Sequence, residues 1–296
     1  MRQDSNLIDA HALKSQIDDS NLRIIDCRFD LADPGAGRRA YMQGHIPGAV
    51  FADLDRDLAA PISPQSGRHP LPDVNTFAAT LGRLGIGNAS DVIVYDAGNG
   101  AVAARAWWLL RWLGHTRVRL LDGGFAHWIT TAGPIVSGAE RFSELRFRPD
   151  PRDHMVLTTA ELESDLDAIA GLRLYDARDA ARFRGDIEPI DPVAGHIPGS
   201  LSLPFPVSLD TNGRWKSKQA LEALWLSVLG EDRNTPWAVM CGSGVTACHL
   251  AISGVEAGYR EPRLYVGSWS EWIRDSERPV GLGNGSDRDP GAADSA

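Results

Sequence analysis

Two copies of one ordered set of short motifs occur in this chain of 296 residues. The second of these motifs reads Gly-His-Ile-Pro-Gly in both copies. Each motif of the first copy has its match roughly 150 positions later in the chain. Because four matches in one order at one separation are hard to obtain by chance, the sequence predicts two copies of one domain. The matching segments are 23–28 with 173–178, 44–48 with 195–199, 92–96 with 237–241, and 121–128 with 265–272.

The chain between and beyond the two copies has a different composition. The copies are predicted to span residues 6–135 and 154–280. Residues 136–153 between them are charged, contain prolines and show no clean period, which is typical of a linker. Residues 281–296 are rich in Gly, Asp and Ser, so this tail is predicted to be disordered.

Within each copy, short apolar runs alternate with helical patterns. The runs at 24–25, 92–95 and 118–121 are short enough for buried parallel strands, and residues 101–113 have a helical pattern that Gly114 is expected to end. This alternation predicts an α/β fold in which each copy is a parallel sheet flanked by helices. Functional loops of such sheets lie beyond the carboxyl ends of the strands, where Asp96 and Cys241 occupy equivalent places.

Composition excludes several classes of protein. A net charge of −9 and a pI near 5.4 argue against a nucleic-acid surface. No apolar run approaches the roughly 20 residues that span a bilayer, and the first residues lack the apolar core of a secretory signal. The three cysteines form neither a disulfide framework nor a zinc pattern. We therefore expect a cytoplasmic protein with reduced thiols, no metal, no membrane and no nucleic-acid partner.

Cys241 is the candidate nucleophile. It ends the apolar run 237–240 and precedes a loop of very small residues, after which a helical pattern begins. Small residues let backbone N–H groups turn toward the sulfur, and a helix N-terminus adds partial positive charge, so the site favours a thiolate. The alternative, a buried structural cysteine, is the interpretation we give Cys27 and Cys248.

Together these features resemble the tandem-domain rhodanese sulfurtransferases, over about residues 6–280. The loop Cys-Gly-Ser-Gly-Val-Thr at 241–246 is similar to that of the 3-mercaptopyruvate branch, whereas the thiosulfate branch typically has two basic residues after the cysteine. The resemblance implies an inactive first domain and a catalytic second domain. It also implies that sulfur from a small-molecule donor passes through a Cys241 persulfide to a thiol, a thioredoxin-like protein or cyanide, without a cofactor.

The resemblance also assigns the other site residues. The arginine that holds the substrate carboxylate corresponds to Arg182, and an Asp, a His and a Ser correspond to a triad that handles a proton. Family members often have a second arginine nine residues after the first, but this chain has Asp191 there, and Arg184 is a possible substitute. The triad is Asp55, His69 and Ser243, and the loop whose amides surround the sulfur is Gly242, Ser243, Gly244, Val245 and Thr246.

The residues themselves leave alternatives open for these side chains. A keto-acid anion favours the bidentate fork of an arginine, but Arg182 would equally suit a surface ion pair with Asp179 or Asp186. His69 lies in a Pro- and Gly-rich loop and reaches Cys241 only if the two domains pack face to face. The histidines of the two Gly-His-Ile-Pro-Gly turns, His45 and His196, occur in both copies, which favours a structural role.

Three other functions remain as alternatives. A thiosulfate sulfurtransferase would use the same chemistry with another donor. A phosphatase with this strand–loop–helix arrangement needs an arginine six residues after the cysteine, where this chain has Ala247. A non-catalytic interaction protein predicts loss of the cysteine from both copies, but the second copy retains it.

Overall fold

The computed structural model describes residues 5–164 and 172–285. Each half of the chain forms a sheet of five parallel strands, with the order β1-β5-β4-β2-β3 in the first and β6-β10-β9-β7-β8 in the second. The predicted α/β fold with two parallel sheets is therefore confirmed. The strands are β1 (Leu7–Ile8), β2 (Leu22–Asp26), β3 (Ala49–Phe51), β4 (Asp91–Tyr95), β5 (Val118–Leu121), β6 (Val156–Leu157), β7 (Leu174–Asp176), β8 (Leu201–Ser202), β9 (Ala238–Met240) and β10 (Arg263–Tyr265).

Helices connect successive strands in both halves. The helix predicted over 101–113 runs from Ala103 to Trp112, and Gly114 follows it at φ +84°, a left-handed conformation that suits glycine. The helices are Ala10–Gln16, Ala36–Gln43, Val74–Arg83, Ala103–Trp112, Gly124–Thr130, Thr159–Ser164, Ala180–Arg184, Lys218–Leu229, Ala247–Glu256 and Ser268–Trp272, with short 3₁₀ turns at Asp153–Met155 and Phe205–Ser208.

The two domains pack through the helices that follow their equivalent central strands. Helix Ala103–Trp112 contacts helix Ala247–Glu256, and one buried apolar cluster includes residues of both. At the same interface the His249 ring nitrogen Nε2 lies 3.0 Å from the carbonyl oxygen of Asn99, which belongs to the loop after β4. The packing therefore brings the loops at the carboxyl ends of β4 and β9 to the domain boundary.

The chain between the two domains is bound along the first of them. Backbone N–H groups of Leu145 and Asp150 donate to the carbonyls of Gly82 and Leu113, both at 3.0 Å. At the other end of the second domain, Gly281 exchanges two backbone hydrogen bonds with His196. The Gly283 N–H donates to the Arg184 carbonyl at 2.9 Å, so hydrogen-bonded structure extends at least three residues into the predicted tail. Residues 286–296 of that tail lie outside the described residues.

The two Gly-His-Ile-Pro-Gly turns have the structural role that their sequence predicts. His45 stacks on Tyr41 at 4.0 Å between ring centroids, and its Nδ1 lies 2.8 Å from the Tyr41 carbonyl. His196 stacks on Phe183 at 3.9 Å, and its Nδ1 lies 2.9 Å from the Phe183 carbonyl. Each histidine thus fixes a turn to the helix before it.

Candidate active site

Cys241 lies directly after β9 with only 2% of its surface exposed. Its backbone N–H donates to Ser268 Oγ at 3.1 Å, and its carbonyl accepts the Trp269 N–H at 3.0 Å. The Gly244 N–H donates to Cys241 Sγ at 3.1 Å. The backbone of the cysteine is therefore fixed on both sides, and a loop amide points at its sulfur.

Glycine at position 244 allows this loop to turn. Gly244 adopts φ +74°, and a Cβ there would lie 2.6 Å from the carbonyl oxygen of Val266, far inside contact distance. The next two loop residues lead into the helix that begins at Ala247: the carbonyl of Val245 accepts the Cys248 N–H at 3.1 Å, and Thr246 immediately precedes the first turn. The sulfur therefore lies near a helix N-terminus, where the partial positive charge favours an anion.

Ser243 of this loop contacts His69 of the first domain, and His69 in turn contacts Asp55. Its Oγ lies 2.7 Å from His69 Nδ1, and His69 Nε2 lies 3.2 Å from Asp55 Oδ1. The three side chains that the family resemblance groups together are thus in contact across the domain boundary. A carboxylate only accepts hydrogen bonds, so Nε2 of His69 carries the ring proton and Nδ1 accepts the Ser243 hydroxyl proton.

Burial keeps this imidazole neutral. It lowers the pKa of His69 to about 4, and the positive charges of Arg105 and Arg68 act in the same direction. Burial, together with the neighbouring carboxylate of Asp53, raises the pKa of Asp55. At neutral pH His69 is therefore a proton acceptor for Ser243.

Arg182 lies beside the cysteine loop and is bound by two carboxylates. Its Nη2 lies 2.7 Å from Glu188 Oε1 and 3.0 Å from Asp191 Oδ2. These partners are not Asp179 or Asp186, the two residues considered above for a surface ion pair. A Cβ built on Gly242 would lie 3.8 Å from Arg182 Nη1, and this nitrogen donates to none of the described residues. Nη2 would lie at the same 3.8 Å, so both terminal nitrogens of the guanidinium lie near the cysteine loop.

Arg184 lies elsewhere. Its guanidinium pairs with Asp186 at 2.7 Å, and both side chains are exposed. Among the described residues, the other cation beside Gly242 is Arg68 of the first domain, whose Nη2 would lie 2.8 Å from a Cβ at that glycine. Sequence reasoning missed Arg68 because its place at the site depends on how the two domains pack.

Arg105 is a second residue that sequence reasoning missed. It is fully buried, and its guanidinium donates to the carbonyls of Gly244 at 3.1 Å and His69 at 3.2 Å. No carboxylate pairs with it among residues 5–164 and 172–285. The sequence did contain a signal for Arg105, because it lies on helix Ala103–Trp112 among apolar side chains that are buried. A charged residue is rarely fully buried without a role.

Asp96 occupies the place in the first domain that Cys241 occupies in the second. Its carboxylate accepts four backbone N–H groups at 2.9–3.1 Å, so the loop after β4 is an anion-binding turn that its own side chain fills. The donors are Gly98, Gly100, Val102 and Ala103. In the second domain the equivalent position holds the Cys241 thiol, to which the Gly244 N–H donates.

The other two cysteines lie in the apolar core. Burial raises the pKa of Cys27 well above its ordinary value and raises that of Cys248 to about 12. The Cys248 Sγ is 3.3 Å from the Gly244 carbonyl, to which it donates. Both are therefore protonated and enclosed at neutral pH, which agrees with the sequence-based interpretation.

No group of three or more His, Cys, Asp or Glu side chains within residues 5–164 and 172–285 is arranged to hold a metal ion. None of the helices described is long and apolar enough to cross a membrane.

Comparison with known proteins identifies the family. The rhodanese-like domain matches twice, at residues 9–131 and 158–275. The chain therefore belongs to the rhodanese family, as a member with two rhodanese-like domains in tandem.

Similar proteins with the same two-domain length are known from bacteria. The chain is 44% identical to a "Probable 3-mercaptopyruvate sulfurtransferase" of Pseudomonas aeruginosa, over 95% of this chain and 99% of that protein. It is 41% identical to a "Putative thiosulfate sulfurtransferase SseB" of Mycobacterium tuberculosis, over 88% of this chain and 90% of that protein. The crystal structure of SseA from Escherichia coli, a 3-mercaptopyruvate sulfotransferase, superposes with a TM-score of 0.76 at 34% identity and covers 90% of this chain and 100% of that one.

Proposed function

We propose that this protein transfers sulfur from 3-mercaptopyruvate to a thiol or cyanide through a persulfide on Cys241. The observation on which this rests is one loop with two functions: the Gly244 amide donates to the Cys241 sulfur at 3.1 Å, and Ser243 meets the neutral His69 at 2.7 Å. A nucleophile and a proton acceptor are thus held side by side.

In the first half-reaction the Cys241 thiolate attacks the sulfur of 3-mercaptopyruvate. The new sulfur–sulfur bond forms as the carbon–sulfur bond breaks, and the electron pair of the broken bond leaves on carbon as the enolate of pyruvate. The Gly244 N–H and the N-terminus of helix Ala247–Glu256 stabilise the negative charge on the cysteine sulfur before the attack and on the persulfide after it.

The proton of the donor thiol has a route through the Ser243 hydroxyl. Ser243 takes that proton as its own passes to His69 Nδ1, and Asp55 stabilises the resulting imidazolium from the Nε2 side. Reversal of the two transfers delivers a proton to the methylene carbon of the enolate, which completes pyruvate. The half-reaction then needs no net proton from solvent.

In the second half-reaction an acceptor regenerates the enzyme. A thiolate, a thioredoxin-like dithiol or cyanide attacks the outer sulfur of the persulfide, the sulfur–sulfur bond breaks, and Cys241 leaves as a thiolate. The first domain has Asp96 at the position equivalent to Cys241, so its loop after β4 presents no thiol for either step.

Thiosulfate is the second candidate donor. It is a compact dianion and benefits from cations near the cysteine, and the guanidiniums of Arg68 and Arg182 both lie beside Gly242 although the loop itself is neutral. The leaving sulfite, however, has no carbon that must be protonated, so the contact of Ser243 with His69 favours 3-mercaptopyruvate.

Side-by-side kinetics test the proposal. With cyanide as acceptor and thiocyanate as the measured product, we expect kcat/KM for 3-mercaptopyruvate to exceed that for thiosulfate by at least about tenfold, a difference of about 1.4 kcal/mol. A higher kcat/KM for thiosulfate would assign the second function instead.

A further inference from the structure

The two helices that pack at the domain boundary each bind a loop of the other domain. Arg105 is the third residue of the helix after β4, and its Nη1 donates to the carbonyl of Gly244 in the cysteine loop at 3.1 Å. His249 is the third residue of the helix after β9, and its Nε2 lies 3.0 Å from the carbonyl of Asn99 in the loop after β4. The duplicated domains therefore make the same contact twice, in opposite directions and with different side chains.

The charges of these two side chains differ in accord with the loops that they contact. The loop after β4 already contains an anion, because four of its N–H groups donate to the Asp96 carboxylate. It meets His249, whose pKa burial lowers to about 3, so the ring is neutral at pH 7. The cysteine loop instead meets Arg105, and an arginine stays charged in proteins. Of the two equivalent contacts, only the one to the cysteine loop supplies a cation.

Arg105 is a buried cation that needs an anion. It is fully buried, its hydrogen bonds go to carbonyl oxygens, and none of the described carboxylates pairs with it. Burial lowers the pKa of Arg105, and the negative charges that Cys248 and Cys241 can carry raise it. Burial also raises the pKa of Cys248 to about 12, so that thiol stays protonated at pH 7. The anion that can offset the buried guanidinium is therefore the sulfur of Cys241.

The same guanidinium also holds the loop that carries His69. Nη2 of Arg105 donates to the His69 carbonyl at 3.2 Å, while Nη1 donates to the Gly244 carbonyl. Gly244 is the residue whose N–H donates to the Cys241 sulfur at 3.1 Å, and His69 is the residue whose ring lies 2.7 Å from Ser243 Oγ. One planar group thus binds both the loop beside the sulfur and the loop that carries the imidazole.

We propose that Arg105, supplied by the non-catalytic domain, is a positioning residue that aligns the His69 loop with the cysteine loop and offsets the negative charge of the Cys241 sulfur. This inference rests on the proposed function, because it takes Cys241 as the nucleophile and the contact of Ser243 with His69 as the proton route. It gives the first domain a part in building the catalytic centre although its own loop contains no thiol.

Full-length Arg105→Lys enzyme tests the alignment. Lysine keeps the charge but lacks the planar fork that reaches both loops, so we expect kcat for 3-mercaptopyruvate to fall by roughly tenfold or more, with a smaller change in KM. The fall with thiosulfate should be smaller, since sulfite leaves without protonation of carbon. Arg111→Lys is the matched control, because Arg111 lies at the other end of the same helix and pairs with Glu261 of the second domain. Its rates should be close to those of wild type.

A double-mutant cycle separates alignment from a general weakening of the fold. If Arg105 acts through His69, Arg105→Lys should lower kcat for 3-mercaptopyruvate in wild type but hardly at all in enzyme that already carries His69→Gln. A role in stability alone would lower the rate by the same factor in both backgrounds, and that result would overturn the proposal.

Alkylation of Cys241 by iodoacetamide tests the charge and needs no sulfur donor. We expect the midpoint of its pH–rate profile to move to higher pH by about one pH unit in Arg105→Met, but to stay in place in Arg105→Lys and Arg111→Met. Arg68 and Arg182, the cations beside Gly242, are present in all of these variants.

An unmoved alkylation profile in folded Arg105→Met enzyme would overturn the proposal, and if that variant does not fold, the double-mutant cycle decides. If wild-type enzyme fails to use 3-mercaptopyruvate, the proposed function fails, and the alkylation profile still shows whether Arg105 acts on the Cys241 sulfur.

Discussion

His69 Nδ1 lies 2.7 Å from Ser243 Oγ although 174 positions separate the two residues. The histidine comes from a loop of the first domain and the serine from the cysteine loop of the second. Since burial keeps the pKa of His69 near 4, the pair is neutral and hydrogen-bonded at physiological pH. The cysteine loop therefore contacts a neutral imidazole from the domain that has Asp96 at the position equivalent to Cys241.

Replacing this histidine should affect the two donors differently. Glutamine at position 69 cannot accept and return a proton, so we expect His69→Gln to lower kcat for 3-mercaptopyruvate by roughly a hundredfold, within the range of general acid–base catalysis. The effect on thiosulfate should be much smaller, because sulfite leaves without protonation of carbon. Steady-state rates with cyanide as acceptor measure both, and an equal loss with the two donors would contradict a proton-transfer role.

Cys241→Ser should abolish sulfur transfer while the fold is retained. Serine is nearly isosteric with cysteine, but its hydroxyl is not ionised near neutral pH and does not form a persulfide. Mass spectrometry of wild-type protein after donor treatment should find one added sulfur on the peptide that contains Cys241. Sulfur on Cys27 or Cys248, or residual transfer by the full-length serine variant, would assign the chemistry to another site.

The carboxylate of Asp96 is expected to stabilise the first domain rather than to catalyse. Because four backbone N–H groups donate to it, we expect Asp96→Asn to lower the free energy of unfolding by about 3 kcal/mol. Asp18→Asn makes the same change of charge at an exposed residue and should cost less than about 0.5 kcal/mol. Urea unfolding measures both, and equal values would show that the loop after β4 needs no anion.

Local pattern was sufficient to predict the sheet and the strand, loop and helix around Cys241. The apolar run before Cys241 and the glycines after it define a strand, a tight loop and a helix without reference to the rest of the chain, and the structure has β9, φ +74° at Gly244 and a helix from Ala247. The repeat then predicts that the first sheet has the same strand order. Both inferences depend on contacts between residues that are near in sequence or equivalent by duplication.

The positions of the arginines at this site depend on contacts between the two domains. Arg68 and Arg105 lie in the first domain and reach the cysteine loop because the two domains pack together. Arg105 does so on helix Ala103–Trp112, and the Arg68 N–H donates to Ser270 Oγ at 3.0 Å. No periodicity specifies that packing. The substitute that sequence reasoning suggested, Arg184, is near Arg182 in the chain, but its side chain pairs with Asp186 at the surface instead.

Arg182 and Arg184 can be distinguished by their variants. We expect Arg182→Ala to raise KM for 3-mercaptopyruvate by roughly ten- to a hundredfold, because a charge-assisted hydrogen bond to the donor is lost. Arg184→Ala should raise it much less, since its guanidinium pairs with Asp186 away from the cysteine loop. Thermal unfolding checks that each variant is folded. An unchanged KM for the Arg182 variant would mean that another cation holds the carboxylate.

Acidification should destabilise the protein through two buried histidines. Burial lowers the pKa of His69 to about 4 and that of His249 to about 3, whereas an unfolded chain has a histidine pKa near 6.5. The unfolded state therefore binds more protons below pH 6.5, and stability falls as the pH is lowered from there toward 4. At pH 5 each histidine accounts for at most about 2 kcal/mol of this loss.

His249→Gln isolates one of the two contributions. His249 stacks on Trp215 at 3.9 Å and contacts the Asn99 carbonyl, so its replacement lowers stability at neutral pH but removes its titration. We expect the loss of unfolding free energy between pH 7 and pH 5 to be smaller in this variant than in wild type by about 1–2 kcal/mol. His11→Gln, the same substitution at an exposed position, is the matched control. Urea titrations at pH 5, 6 and 7 give the slopes, and parallel curves for wild type and His249→Gln would show that His249 takes up no proton on unfolding.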